Sequence, residues 1–298
     1  MPIFRPKEFL YTEDRDLALQ KLKSEGKRAH AIAGGTGFYE LAKRGYIPEV
    51  KHLISLMKLG LDYVKNDQSA LTIGATVRLQ SLLDSGLCDG NGLEAIGDAL
   101  REIRPVQVRN VATVGGEICI SVPIVDLPTS LLACGASVKI VSAENREANL
   151  DLEDFYIDAF LTSLKYGDIV KEVTVSKKSR ERSAFVKLGR TAYDFNLINA
   201  AVSLSLREDG KVGSIRTFLG GIKRTPMRAL EFEKKLTGKR PDEKIIVDAA
   251  EDAFSKEKLL PSVHGSSEYK MAVLPIVLRD CVMEASKRAT AEIQKVDE

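Results

Sequence analysis

Cysteine and histidine are scarce in this chain, and their scarcity removes whole classes of chemistry. The 298 residues hold four cysteines, Cys88, Cys119, Cys134 and Cys281, and three histidines, His30, His52 and His264. The cysteines show neither the pairing of metal ligands nor a compact disulfide framework. An iron–sulfur cluster needs several thiolates at a characteristic local spacing, so none is expected here, and no metal site is expected either. Cys119 and Cys134 read as small buried hydrophobes in a reducing, cytoplasmic compartment. His30, at the start of an apolar run, reads as a structural residue rather than a ligand. Long hydrophobic runs are missing too. None approaches the roughly 20 residues of a membrane span, and Met1-Pro2-Ile3-Phe4-Arg5-Pro6 is not a secretory signal, so no membrane insertion is expected. Charge of one sign is absent as well: 44 Lys and Arg face 42 Asp and Glu, a formal net charge of +2. Interspersed charge of this kind gives no nucleic-acid footprint. The sequence contains no repeat, no low-complexity tract and no evident acid–base pair, and no catalytic residue is singled out.

What the chain does have is glycine in two informative places, Ala33-Gly34-Gly35-Thr36-Gly37 and Ala112-Thr113-Val114-Gly115-Gly116. Glycine reaches φ > 0 cheaply and lets a ligand approach the main chain, so consecutive glycines let amides converge on an anion. A helix-like stretch (Phe38, Leu41, Ala42) follows the first segment and Ile118-Cys119-Ile120 the second. A strand-to-helix turn of this sort combines free N–H groups with the helix dipole. Ordinary tight turns are the alternative reading. The spacing fits neither G-x-x-x-x-G-K-[ST] nor the three-glycine dinucleotide fingerprint. Two separated loops suit one extended diphosphate ligand whose ring systems reach in opposite directions, and flavin adenine dinucleotide (FAD) answers that description.

The chain also resembles a family: the FAD-binding medium subunits of molybdenum hydroxylases, which include xanthine dehydrogenase, carbon monoxide dehydrogenase and archaeal aldehyde oxidoreductases. The resemblance is carried by Ala31-Ile32-Ala33-Gly34-Gly35-Thr36, by Leu71-Thr72-Ile73-Gly74-Ala75-Thr76-Val77, and most strongly by Val108-Arg109-Asn110-Val111-Ala112-Thr113-Val114-Gly115-Gly116 with Pro123 and Asp126-Leu127-Pro128. Ala184-Phe185-Val186-Lys187 and Gly220-Gly221-Ile222-Lys223-Arg224-Thr225-Pro226-Met227-Arg228-Ala229 look like the family's C-terminal domain. It implies an α+β chain: a two-subdomain FAD-binding fold of the PCMH/vanillyl-alcohol-oxidase type, followed by a C-terminal antiparallel sheet with helices.

The pattern of elements divides accordingly. Residues 1–57 predict a small α/β unit with parallel strands: helix at Leu17 to Leu22, strand at Ala29 to Ala33, helix at Phe38 to Lys43, strand at His52 to Ser55. Residues 58–176 form a second, strand-richer subdomain with helices at Leu79 to Leu83 and Leu93 to Ile103, and with strands at Leu71 to Ala75, Ala136 to Val141 and Ile169 to Val175. The charged residues 177–183 read as a solvated linker, with an anion-binding patch as the alternative. In residues 184–298, a hairpin turning at Glu208-Asp209-Gly210 precedes helices at Ala229 to Leu236, Ile245 to Phe254 and Glu268 to Ile293.

Site residues follow from chemistry and resemblance together. Ala31, Ile32, Ala33, Gly34, Gly35, Thr36, Gly37 and Phe38 are expected to wrap the diphosphate, Thr36 adding a hydroxyl donor. Thr113, Val114, Gly115 and Gly116, with Glu117 beside them, are expected to approach the ribityl chain and the far side of the diphosphate. The resemblance further implies that Asp126 bonds the cofactor's polar portion, turn capping being the alternative. By the same resemblance Ile103 and Ile169 or Val170 touch its rings, and Lys187 lies near the isoalloxazine, where a cation stabilises reduced flavin. Tyr193 either packs over the flavin or closes the C-terminal sheet. The chain departs from the family where Glu117 replaces an asparagine, which places a carboxylate close to a diphosphate, and where Val122 replaces a serine. Thr36-Gly37 also departs from the polar pair of the carbon monoxide dehydrogenases, which weakens the case for CO as substrate. The implied role is electron relay: a large molybdopterin subunit oxidises substrate, a small 2Fe-2S subunit passes the electrons on, and FAD in this chain delivers them to an external electron acceptor. A free-standing FAD-dependent oxidoreductase and a flavin-less assembly subunit are the alternatives.

Overall fold

Short, largely apolar strands alternating with helices build the first sheet. The computed structural model describes residues 6–47, 50–263 and 265–296; the Met1–Arg5 stretch and His264 considered above lie outside them. The chain divides into two compact units. One comprises residues 1–82, 106–121 and 136–174, the other 83–105, 122–135 and 175–298.

In the first unit, the expected parallel sheet has the order Glu8–Tyr11, His52–Ser55, Ala29–Ile32, with both pairings parallel. The helix Arg15–Glu25 buries Ala18, Leu19 and Leu22 along one stripe. Asp14 caps it by accepting from the Leu17 amide at 3.0 Å, and Gly26, at φ 54°, ends it. The strand Ala29–Ile32 leads through Ala33-Gly34-Gly35 into the helix Thr36–Lys43. A five-stranded sheet follows, ordered Val64–Asn66, Ala70–Gly74, Ile169–Ser176, Ser137–Val141, Glu147–Asp151. The register slips between Val170 and Glu172, so strict in-out alternation breaks and Ile169, Val170 and Glu172 are all buried. Glu172 is compensated by Lys139 Nζ at 2.5 Å and by the Tyr63 hydroxyl, which donates to it at 2.5 Å.

The second unit is built on an antiparallel sheet ordered Arg182–Leu188, Ile198–Leu206, Val212–Gly220, Met227–Arg228. Its hairpin turns at Glu208-Asp209-Gly210 as expected, with Gly210 at φ 75°. The helices Leu230–Leu236, Glu243–Phe254 and Ser267–Val296 back it, and Phe232, Ile246, Leu274, Leu278 and Val282 share its core. Against the expectation of contiguous subdomains, this unit also takes in the helices Glu94–Glu102 and Leu127–Ala133. Buried polar bonds tie the first of them in: Glu94 accepts from the Ser183 amide at 3.0 Å and from its hydroxyl at 3.1 Å, and Asp98 pairs with Arg288 at 2.7 Å. The charged residues 177–183, expected as a linker, fall inside this unit, and the Lys178 amide donates to the Asn91 carbonyl at 2.9 Å. Arg182 and Ser183 are buried in the first strand of the sheet, and Arg182 pairs with Glu292 at 2.7 Å. Among the described residues no helix is long and apolar enough to cross a membrane.

Candidate functional site

A cavity of about 810 Å³ lies within the first unit, at the upper end of the size range of small-molecule sites. One wall is Ala31, Ile32, Ala33, Gly34, Gly35, Thr36, Gly37 and Phe38; another is formed by Ala112, Thr113, Gly116, Glu117, Cys119 and Ile120; residues 160–162 and 164–168 supply a third. Gly35 stands at the N-cap of the helix Thr36–Lys43 with φ 75°, and no side chain caps that helix. A helix start opened by a left-handed glycine leaves its first-turn amides facing the space in front of it. Gly34 is required for a different reason: a Cβ there would sit 2.0 Å from the Val111 carbonyl oxygen, so only glycine lets the two walls approach this closely. Lys27 and Lys165 also line the cavity and supply countercharge for an anion; Glu117 and Asp168 are carboxylates of the same lining.

The second glycine segment differs from its expected form. It follows a helical turn, Val106–Arg109, rather than a strand, and Val114–Cys119 is itself a short helix. Its amides are committed internally: Val114 N–H donates to the Val77 carbonyl at 3.0 Å, Gly115 N–H to the Ala75 carbonyl at 2.9 Å, and Gly116 N–H to Thr113 Oγ1 at 3.2 Å. They do not converge on an anion. Gly115 is there because a Cβ would lie 2.8 Å from the Ala75 carbonyl oxygen and Cβ. Thr113, Gly116 and Glu117 therefore line the cavity as surface, while Val114 and Gly115 are buried and do not. Ile169 and Val170 are likewise buried in the five-stranded sheet and are not lining residues.

Four further expected residues belong to the second unit. Asp126 and Lys187 form a buried ion pair at 2.8 Å. Lys187 Nζ also donates to the Glu102 carbonyl at 3.1 Å, and the side-chain amides of Asn196 and Asn199 donate to Asp126 Oδ1 at 3.0 and 2.9 Å. Burial raises the pKa of Asp126, while the Lys187 ammonium and the two amides oppose the rise. No side-chain bond from Asp126 caps the helix Leu127–Ala133, so turn capping is not what occupies it. Ile103 closes the helix Glu94–Glu102 and is buried. Tyr193 is 70% exposed on the loop between the strands Arg182–Leu188 and Ile198–Leu206, so it does not close the sheet.

Several lining residues escaped the sequence reading. His30 lies on the cavity wall with its ring 5.4 Å from that of Phe38, and burial lowers its pKa, which keeps the imidazole neutral at pH 7. Tyr46, Phe160 and Tyr166 line the cavity while more than half exposed; solvent-exposed aromatics in loops were the only signal for them. Cys119 also lines it, and burial pushes its thiol up to about 12, so it stays protonated like the small hydrophobe it was taken for.

Residues 8–177 match the family described as the FAD binding domain in molybdopterin dehydrogenase. This chain belongs to that family. Residues 183–285 match the CO dehydrogenase flavoprotein C-terminal domain. The glyceraldehyde dehydrogenase medium chain of Sulfolobus acidocaldarius is 27% identical over 285 residues, covering 94% of this chain and 99% of that one. The carbon monoxide dehydrogenase medium chain of Afipia carboxidovorans is 26% identical over 289 residues, covering 95% and 99%. In fold, the chain is similar to a carbon monoxide dehydrogenase structure from Hydrogenophaga pseudoflava, with a TM-score of 0.88 at 23% identity over 97% of this chain and 99% of that one. As a member of this family the chain is an oxidoreductase subunit whose cofactor is FAD. The cavity fits that cofactor: its uncapped helix start, its lysines and the exposed ring of Tyr166 suit a diphosphate joined to flat ring systems.

Proposed function

We propose that this chain is the electron-transfer subunit of a molybdenum hydroxylase, working with a large molybdopterin subunit and a small 2Fe-2S subunit. Bound in the cavity, FAD supplies the redox chemistry that links iron–sulfur clusters in a partner to an external acceptor. The chain's own residues bind and orient. The amides at Gly35 to Gly37 hold the diphosphate, with the Thr36 hydroxyl beside them, and Lys27 and Lys165 offset its charge. The neutral His30, Phe38 and Ile32 keep the adjoining wall apolar. By family resemblance the same reading assigns Asp126 to the cofactor's polar portion and Ile103, Lys187 and Tyr193 to its rings. The observation that carries the proposal is the helix that opens uncapped on Gly35 at the wall of a cavity of this size. It is tested by purifying the native protein, measuring FAD in the supernatant after denaturation, and identifying the chains that co-purify. The expected result is one FAD per chain together with a molybdenum-bearing and a two-cluster partner. A colourless protein that takes up no added FAD defeats the proposal. So does an isolated chain that turns over a small substrate at about 10 s⁻¹, the typical enzymatic rate, which would mark a free-standing flavoenzyme.

A further inference from the structure

Two of the lining rings touch each other. Tyr46 follows the helix Thr36–Lys43, and Phe160 sits at the turn between the short strands Tyr156–Asp158 and Leu161–Thr162. Both line the cavity, with exposures of 63% and 52%. Their rings stack with centroids 5.7 Å apart and planes 24° apart.

The two sides of this contact are held differently. Phe160 has φ 62°, a region that a bulky residue seldom enters. Its amide donates to the Ser121 carbonyl at 2.7 Å, and the hydroxyl of Ser121, itself at φ 47°, donates back to the Asp158 carbonyl at 2.9 Å. Such conformations persist only where the surroundings over-determine them, so the hairpin tip is a pinned jaw. Tyr46 instead follows Gly45, which has φ 77° and nothing within 4 Å of where a Cβ would be. The Gly45 and Tyr46 amides donate to the Ala42 and Leu41 carbonyls at 3.1 and 2.9 Å, so the backbone is held here too, and it is the Tyr46 side chain, 63% exposed, that swings between rotamers.

We propose that the Tyr46–Phe160 stack is a clasp on the cavity wall that parts, by rotation of the Tyr46 side chain, each time FAD enters or leaves. The proposal rests on the cavity being the FAD site. A fixed platform for one of the cofactor's rings is the rival arrangement; the two rings stack on each other at 5.7 Å, which leaves no slot between them. A clasp slows entry and exit alike, whereas a platform slows only exit.

The test is stopped-flow flavin fluorescence on the full chain, giving association and dissociation rates for FAD. Tyr46→Ala and Phe160→Ala are each expected to raise both rates by about threefold to tenfold, the span one aromatic contact supports, with Kd nearly unchanged. Tyr46→Phe keeps the ring and is expected to keep the wild-type rates. Unchanged rates in Tyr46→Ala overturn the clasp, and so does a rise in dissociation alone that weakens Kd by the same factor. If Phe160→Ala does not fold, the exposed Tyr46 variants decide the matter by themselves. Failure of the wild-type chain to bind FAD defeats the cofactor assignment instead, which keeps the two readings separable.

Discussion

A single methyl group on Gly34 should loosen FAD binding without unfolding the protein. Gly34 does not have a positive φ, so alanine meets no dihedral penalty there; the cost is steric. The new carbon would lie 2.0 Å from the Val111 carbonyl oxygen, 2.7 Å from its carbonyl carbon and 3.0 Å from Ala112 Cα, all backbone atoms that cannot rotate aside. Overpacking of this kind costs about 1–3 kcal/mol. In the free protein the glycine segment and the 111–113 segment can relieve the clash by moving apart. With ligand bound against both walls they are held in place, so much of the cost falls on the complex. At about 1.4 kcal/mol per tenfold, Kd should rise roughly fivefold to 150-fold in a flavin fluorescence titration. Gly60→Ala is the control: Gly60 has φ 69°, open space around its Cβ position and no place in the cavity lining. It should cost about 1–2 kcal/mol of stability through the left-handed backbone while leaving Kd alone. Wild-type FAD affinity in Gly34→Ala would refute the idea that contact between the two walls shapes the site.

Gly115→Val should act on stability rather than affinity, because the added carbons meet Ala75 below the cavity surface; thermal melts should show a loss of about 1–3 kcal/mol, and weaker FAD binding at unchanged stability would contradict this. Glu117→Asn removes one of the two carboxylates, Glu117 and Asp168, that line the cavity; Kd should fall by about tenfold, the effect of removing a like charge at roughly 1–2 kcal/mol, and its salt dependence should flatten. Glu172→Gln tests the buried cluster in the five-stranded sheet. Burial works against the Glu172 charge, but Lys139 and the Tyr63 hydroxyl outweigh it and hold its pKa below the ordinary 4.5. The stability this provides is present above pH 4.5 and lost as pH falls through the lower folded value. The variant should therefore be less stable by about 1–3 kcal/mol at pH 7, with the deficit shrinking in urea melts below pH 4.5; an equal deficit at every pH would mean that the pair is not ionic.

Much of the architecture was legible because burial and periodicity agree. His52–Ser55 and Ile198–Leu206 are apolar enough to read as strands, and Gly210 is a residue whose local chemistry fixes a turn. The misreadings have a common cause in contacts between distant positions. Arg182 sits in a charged run that reads as solvated, yet its guanidinium is buried between Glu94 and Glu292. Lys270, on the helix Ser267–Val296, is 1% exposed because its ammonium donates to the Gly221 and Leu260 carbonyls at 2.6 and 2.9 Å. No local pattern distinguishes such a lysine from a surface one.

The two glycine segments show how a motif can mark the right place for a reason that holds only in half of it. Gly35 needs its left-handed φ to open a helix toward the cavity, as glycine's conformational freedom suggests. Gly34 and Gly115 need no unusual φ; they are glycines because another stretch of backbone passes where a Cβ would be. Alanine separates these causes. At Gly35 it strains the turn, since the backbone keeps φ 75°; at Gly34 it pushes two cavity walls apart; at Gly115 it presses on Ala75 beneath the surface. The first two substitutions should therefore weaken FAD binding and the third should lower stability first. The order of FAD affinities across the three variants then reports which glycines hold the cofactor and which hold the walls that enclose it.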